Sequence, residues 1–172
     1  MAEVKYKFTP YDIANFLLLS NLSHSNENEV IDDFFDQYNN EIIGKYRNDR
    51  ELFRKKVQNV IIQKTVPSGD YDAYQLIKDE LGIDKSECQT RDPYGNYFKI
   101  IKLQLLYNNK EYRKIKLIRL LNEFNHKRRS AAIVLGMKNA LKALGLKAYL
   151  KGYEPCDIAN ISTDQMIMIR MF

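Results

Sequence analysis

Tryptophan is absent from this chain of 172 residues, and cysteine, proline and glycine are scarce, at 2, 4 and 7. Few prolines and glycines mean few enforced turns, which argues against a many-stranded β fold and for helices. Cys88 and Cys156 show neither a disulfide framework nor the spacing of a zinc site. They read as unpaired thiols in a reducing compartment. No apolar run reaches the roughly 18 residues that a membrane span needs; the longest is interrupted by Lys99 and Lys102. Met1 to Pro10 carries Glu3, Lys5 and Lys7 with no apolar run behind a basic start, unlike a secretory signal. These absences predict a soluble, cytoplasmic protein with no membrane partner. Its 45% hydrophobic and 28% charged residues are ordinary globular values. The length suits one domain or two small subdomains, with a core that needs no metal to form.

Recognisable catalytic constellations are lacking too. There is no glycine-rich phosphate loop and no serine or cysteine nucleophile in a known setting. A metal nuclease would place an Asp ahead of a Glu-x-Lys triplet; only Glu3-Val4-Lys5 has the triplet, and no acid precedes it. His24 and His126 show no metal-ligand spacing. Asp32, Asp33 and Asp36 could in principle hold a divalent cation, but they read as the solvated face of a helix. The sequence assigns no catalytic residue, metal or cofactor, and leans away from an enzyme without excluding one.

Periodicity gives a mainly α chain with a small β element, an α+β class. Thr9, Pro10 and Asp12 predict the start of a short helix to about Leu19. Asn21 to Asn28 reads as a loop. Val30, Phe34, Phe35, Tyr38, Ile42 and Tyr46 form one stripe, predicting a helix from about Glu29 to Tyr46. Asp49 caps another to about Gln63. A turn at Thr65 to Gly69 leads to a short helix, Asp70 to Leu81, closed by Gly82. Polar Ile83 to Tyr97 is the candidate boundary, giving a helical N-terminal subdomain, 1–90, and a basic C-terminal one, 91–172. Tyr97 to Tyr107 fits helix or strand. Tyr112 to Phe124 reads as a helix with Leu117, Leu120, Leu121 and Phe124 inward. Ser130 caps a further helix that stops at Gly145. Lys147 to Leu150 and Met166 to Met171 are strand candidates. Pro10-Tyr11-Asp12-Ile13-Ala14-Asn15 recurs as Pro155-Cys156-Asp157-Ile158-Ala159-Asn160; the flanks do not match, so this is shared local chemistry and not a repeat.

Charge is distributed unevenly behind the net +5. Residues 1–109 hold 14 Lys and Arg against 17 Asp and Glu, a balance of −3. Residues 110–172 hold 13 against 5, or +8, and within 110–151 the balance is 12 against 2, or +10. Arg113, Lys114, Lys116 and Arg119 fall on the predicted 112–124 helix, with Arg113, Lys116 and Arg119 away from its apolar stripe. Lys138 and Lys142, four apart, share a face of the next helix. Lys127-Arg128-Arg129 precedes that helix at Ser130, where free N–H groups attract phosphate oxygen. These ten residues are the candidate nucleic-acid-binding set. Tyr107, Tyr112, Phe124, Tyr149 and Tyr153 are interleaved with the basic block, a composition that can stack unpaired bases.

Lys116-Leu117-Ile118-Arg119-Leu120-Leu121, Phe124, Lys127-Arg128-Arg129-Ser130, Leu141 to Leu146 and Met166 to Arg170 together resemble a known module. It is the C-terminal helix-helix-hairpin, winged-helix-like module of bacterial restriction and phage-defence proteins. The resemblance spans Ile115 to Arg170, about a third of the chain, and includes no catalytic motif. The chain departs from it at Asn125, where glycine is expected, and in the setting of Asp157-Ile158. It implies a DNA-related role of bacterial or phage kind, regulatory or defensive, with DNA rather than RNA as partner. The helical N-terminal part would then oligomerise or recruit a protein. The charge split equally fits a protein-binding inhibitor or adaptor, for example an anti-defence one, whose basic face docks an acidic partner.

Overall fold

The computed structural model describes residues 6–20, 22–65 and 92–172. The predicted turn at Thr65 to Gly69 (all but Thr65), the helix at Asp70 to Leu81, Cys88 and the Glu3-Val4-Lys5 triplet lie outside the described residues. The chain divides into two compact units, Met1–Arg91 and Asp92–Phe172. Among the described residues it is mostly helical with a three-stranded antiparallel sheet, an α+β protein. No helix among the described residues is long and apolar enough to cross a membrane.

In the first unit, α1 (Pro10–Ser20), α2 (His24–Gln37) and α3 (Arg50–Thr65) pack together. Asp12, in the first turn of α1, reaches back so that its Oδ2 accepts from the Thr9 backbone N–H at 2.8 Å and from the Thr9 hydroxyl at 3.1 Å. That closes the helix start as a capping box does. Asp49 starts α3 by accepting from the Leu52 amide at 2.9 Å. Phe8, Phe34, Tyr46 and Phe53 are fully buried or nearly so, with Phe8 edge-on to Phe34 at 4.9 Å.

Two expectations fail here. Residues 24–28 are the first turns of α2, not loop. The helix expected to reach Tyr46 ends at Gln37, and two 3-10 turns, Asn39–Glu41 and Gly44–Tyr46, come after it. Ile42 and Tyr46 are buried as the stripe requires, but from irregular backbone. Asn39 and Asn40 favour hydrogen-bonded turns over helix. The freed carbonyls find donors: Arg47 donates to Ile42 O at 2.6 Å and to Asn40 O at 3.2 Å. The acids of α2 meet the arginines of α3, Asp32 with Arg54 and Asp36 with Arg50, while Gln37 holds Asp33. Among the described residues no cluster of His, Cys, Asp and Glu could hold a metal ion.

The second unit runs α4 (Pro93–Tyr107), β1 (Arg113–Lys116), α5 (Leu117–Glu123), α6 (Ala131–Ala143), β2 (Leu146–Tyr149) and β3 (Met166–Met171). Asp92 caps α4 by accepting from the Tyr94 amide at 3.2 Å, with Pro93 at the first helical position. Residues 97–107 are thus helical. The predicted 112–124 helix is corrected: Arg113, Lys114 and Lys116 lie on a strand, and only Leu117–Glu123 is helical. The strand exists because β3 is there to pair it, with Arg113 opposite Ile169 and Lys116 opposite Met166. β2 pairs the other edge of β3, giving the order β1-β3-β2.

Inward residues alternate along the strands, Ile167 and Ile169 being fully buried; α4 packs on β3, α5 on β1 and α6 on β2. The Leu117 and Ile118 amides that open α5 donate to Gln165 O and Thr163 O at 3.0 and 2.8 Å. Asn125, the departure from the module's glycine, has φ 58. His126 N donates to Leu121 O and Asn125 N to Asn122 O, both at 3.0 Å, the paired bonds of a left-handed helix stop. Asparagine tolerates that conformation, so it serves where glycine would.

α4 and α6 meet closely at Gly136. A methyl placed there would lie 2.5 and 2.8 Å from carbons of the Tyr94 ring. That ring is held: it stands edge-on to Phe124 at 4.7 Å, and its hydroxyl bonds His126 Nε2 at 2.7 Å. Burial raises the Tyr94 pKa, Asp92 adding to the shift, so the hydroxyl stays protonated. Gly136→Ala should therefore cost about 1–3 kcal/mol, read as a lower urea or thermal midpoint. An unchanged midpoint would mean that the Tyr94 ring has room to move.

Candidate nucleic-acid interface

The expected basic residues separate into groups with different employment. On α6 the buried side is Val134, Met137, Ala140 and Leu141. The outward arc carries Ala131, Ala132, Leu135, Lys138, Asn139 and Lys142, all exposed. Ser130 caps the helix as its sequence suggests, Oγ accepting from Ile133 N at 3.3 Å. The Ala131 and Ala132 amides of the first turn have no intrahelical acceptor by construction and point ahead of the helix. Lys127 and Arg128 are exposed immediately before that start, and make no ion pair among the described residues.

Arg129 does something else. Its Nη1 donates to Ile158 O at 2.8 Å and to Ile161 O at 2.5 Å, clamping the connection between β2 and β3 onto the start of α6. Ile158 between them is 2% exposed. Lys138, one face-neighbour of Lys142, is paired with Asp157 at 2.7 Å. Asp157 also organises its own turn, accepting from Ala159 N at 3.0 Å and from Asn160 Nδ2 at 2.6 Å. The sequence Pro155 to Asn160, so like the start of α1, is here a turn closed by Asn160 N and Ile161 N on Asp157 O. The two copies diverge just after the shared residues: Phe16 and Leu17 extend a buried face in α1, whereas their counterparts are half-buried Ile161 and exposed Ser162.

The Lys138 ammonium, with the backbone N–H of Ala159, holds the Asp157 carboxyl below its ordinary pKa. A depressed carboxyl stabilises the fold above its unfolded pKa, near 3.8, and that contribution fades as pH falls through the lower folded value. The latch therefore stays intact at neutral pH. Neighbouring Cys156 is half-buried, and burial with Asp157 beside it pushes its thiol pKa up. A thiol so placed is a poor nucleophile.

Of the remaining expected residues, Lys114 and Lys116 are exposed on β1, and Arg119 is exposed on α5. Arg113 is half-buried on the helix-facing side of β1, near Tyr97. His126 is committed to Tyr94. Phe124 is core, packed against Tyr94, Tyr97 and Phe98. Sequence reasoning missed Asn139 and Leu135, which occupy the middle of the outward arc; their spacing of four on the stripe opposite Met137 and Leu141 was the available signal. It missed Asp157 as well, whose counter-charge lies far off in the sequence.

Arg129 and Arg128 can be told apart by stability. Arg129→Ala should lower it by about 1.5–3 kcal/mol for the loss of charged hydrogen bonds to buried carbonyls. Arg128→Ala should stay within about 0.5 kcal/mol of the parent. Urea unfolding of both variants checks this, and equal midpoints would show that the clamp holds nothing.

Comparison with known protein families, with curated proteins and with solved structures finds no match to this chain, so the functional reading rests on this arrangement alone.

Proposed function

We propose that the second unit is a winged-helix-like module that binds duplex nucleic acid, DNA rather than RNA, through α6 and the basic run before it. The chain order supports this reading: helix, strand, helix, helix, strand, strand, with the sheet ordered β1-β3-β2 and a long connection between β2 and β3. In that architecture the third helix enters the major groove. Here α6 is 13 residues, about 20 Å by its rise. Ala131 and Ala132 at its outward start would let the backbone approach a groove about 12 Å wide. A helix start preceded by Lys127 and Arg128 suits a phosphate, since N–H groups and side-chain donors converge on it.

The observation that carries the reading is that these cations are unspent. Lys127, Arg128 and Lys142 form no ion pair among the described residues, whereas Lys138 and Arg129 have internal partners. Lys127 and Arg128, beside the positive end of α6, are mildly unfavourable without an anion. The bacterial or phage regulatory or defence context is part of the proposal and comes from the resemblance of Ile115 to Arg170.

A second reading has one observation in its favour. Leu135 is 59% exposed in the middle of the same arc, and an acidic protein groove would take Leu135 together with Lys142. A protein-binding inhibitor or adaptor would use the face in that way.

Mixed-sequence duplex binding, measured by fluorescence anisotropy across a salt series, separates the two. With about six phosphates neutralised, log affinity should fall against log salt with slope about −5. Lys142→Ala should shallow that slope by about 0.9 and weaken all sequences alike. Affinity that does not change between low and moderate salt would end the duplex reading. Capture of an acidic protein, lost with Leu135→Ala, would replace it.

A further inference from the structure

The sheet has a second face, turned away from α5 and α6. Residues on it alternate with the buried ones: Lys114 and Lys116 on β1, Lys147 and Tyr149 on β2, and Met166, Met168 and Arg170 on β3. None of the three strands contains a carboxylate. At one end the Arg170 guanidinium lies between two rings, 4.0 Å from the Tyr153 centroid and 5.0 Å from that of Tyr112. Lys147 Nζ stands 5.5 Å over the Tyr149 ring.

Two details suggest that this stack is kept for more than packing. Tyr153 has φ 65, in the left-handed region that costs a bulky residue roughly 1 kcal/mol or more. The turn closed by Leu150 N on Glu154 O requires that backbone, but the side chain placed there is a tyrosine 60% exposed, as Tyr112 is 40%, so burial does not repay the choice of residue. Arg170 Nε is buried with no hydrogen-bond partner among the described residues. A guanidinium held only by rings, with no acid near it on the strands, keeps its charge for an external anion.

We propose that this outer sheet face is a separate binding surface for single-stranded nucleic acid. Unpaired bases would stack on the free faces of Tyr112 and Tyr153, and the backbone phosphates would meet Arg170, Lys147 and Lys114. Aromatic rings accept any base, and cations between them track the phosphates. A duplex can meet the cations of this face but not stack on its rings, because its bases are stacked on each other and present only edges. The inference rests on the second unit being a nucleic-acid binder, but uses the face opposite to the α6 arc, so the two can fail separately.

The test uses the full chain with labelled oligo(dT) and the mixed-sequence duplex as probes, read by anisotropy. Tyr112→Ala with Tyr153→Ala should lower oligo(dT) affinity roughly tenfold or more, from loss of stacking, and leave duplex affinity within about twofold. Tyr112→Phe with Tyr153→Phe should retain oligo(dT) binding, because the rings remain. Lys142→Ala should give the reverse pattern. Tyr153→Gly should leave the melting midpoint unchanged or higher, since glycine adopts this φ freely, while weakening oligo(dT). The proposal is overturned by absent oligo(dT) binding, by equal loss of both probes in the Ala pair, or by a lower midpoint for Tyr153→Gly with binding intact. Oligo(dT) binding without duplex binding would support the sheet face and remove the α6 reading alone.

Discussion

The connection between β2 and β3 runs from residue 150 to residue 165; a bridge between Tyr149 and Pro155, with Leu150 N on Glu154 O at 2.8 Å and Cys156 N on Ala148 O at 3.3 Å, ties its near end. One guanidinium holds its middle. Arg129 donates to the carbonyls of Ile158 and Ile161, and between those two bonds the Ile158 side chain enters the core. The rest of the basic unit depends on this clamp. It sets the Asp157 turn against Lys138 and fixes where the segment returns to start β3. Through Gln165 and Thr163 it also supplies the acceptors for the first amides of α5. A loop fixed at its far end can in turn present Tyr153 against Arg170 at its near end.

A block of positive charge on a small unit has to be kept from working against the fold. The structure does so by giving individual cations different tasks. Arg129 satisfies backbone carbonyls, and Lys138 meets the Asp157 carboxylate. Arg170 and Lys147 lie over aromatic rings, which soften their desolvation without cancelling their charge. Lys127, Arg128 and Lys142 remain in solvent. The first unit is built differently, its cations Arg50 and Arg54 matched to the acids of the neighbouring helix. Exposed pairs of that kind contribute little stability each; their larger effect is to leave that surface electrically mixed.

How far the chain was legible depended on the range of the interactions involved. Helix stops and starts set by neighbours were readable: Asp49, Ser130 and Gly145 act on amides and carbonyls within four residues of themselves. The strand at Arg113 to Lys116 was not, because alternation over four residues is too short to outweigh the helical period of Leu117, Leu120 and Leu121 just after it. The long stripe through Ile42 and Tyr46 misled for a related reason. Burial was read correctly, but two 3-10 turns can bury the same side chains as a continuous helix. The basic set was legible as charge and not as employment, since nothing local marks Arg129 apart from Arg128.

The near-identical hexapeptides at Pro10 and Pro155 show most directly where local information stops. In both, the aspartate accepts from a nearby backbone N–H, Asp12 from Thr9 three residues before it and Asp157 from Ala159 two residues after it, and a short-range bond of that kind is set by the residue type. One becomes a helix because Phe16 and Leu17 continue a buried face, and the other a turn because Arg129 captures its carbonyls. By itself the sequence determined the helical class, the capping residues and the concentration of positive charge after residue 109. Only the tertiary structure decided which cations are free, which face of the sheet is aromatic and where the third strand comes from. Each of those depends on groups brought together from distant parts of the chain, whose pairing no local periodicity encodes.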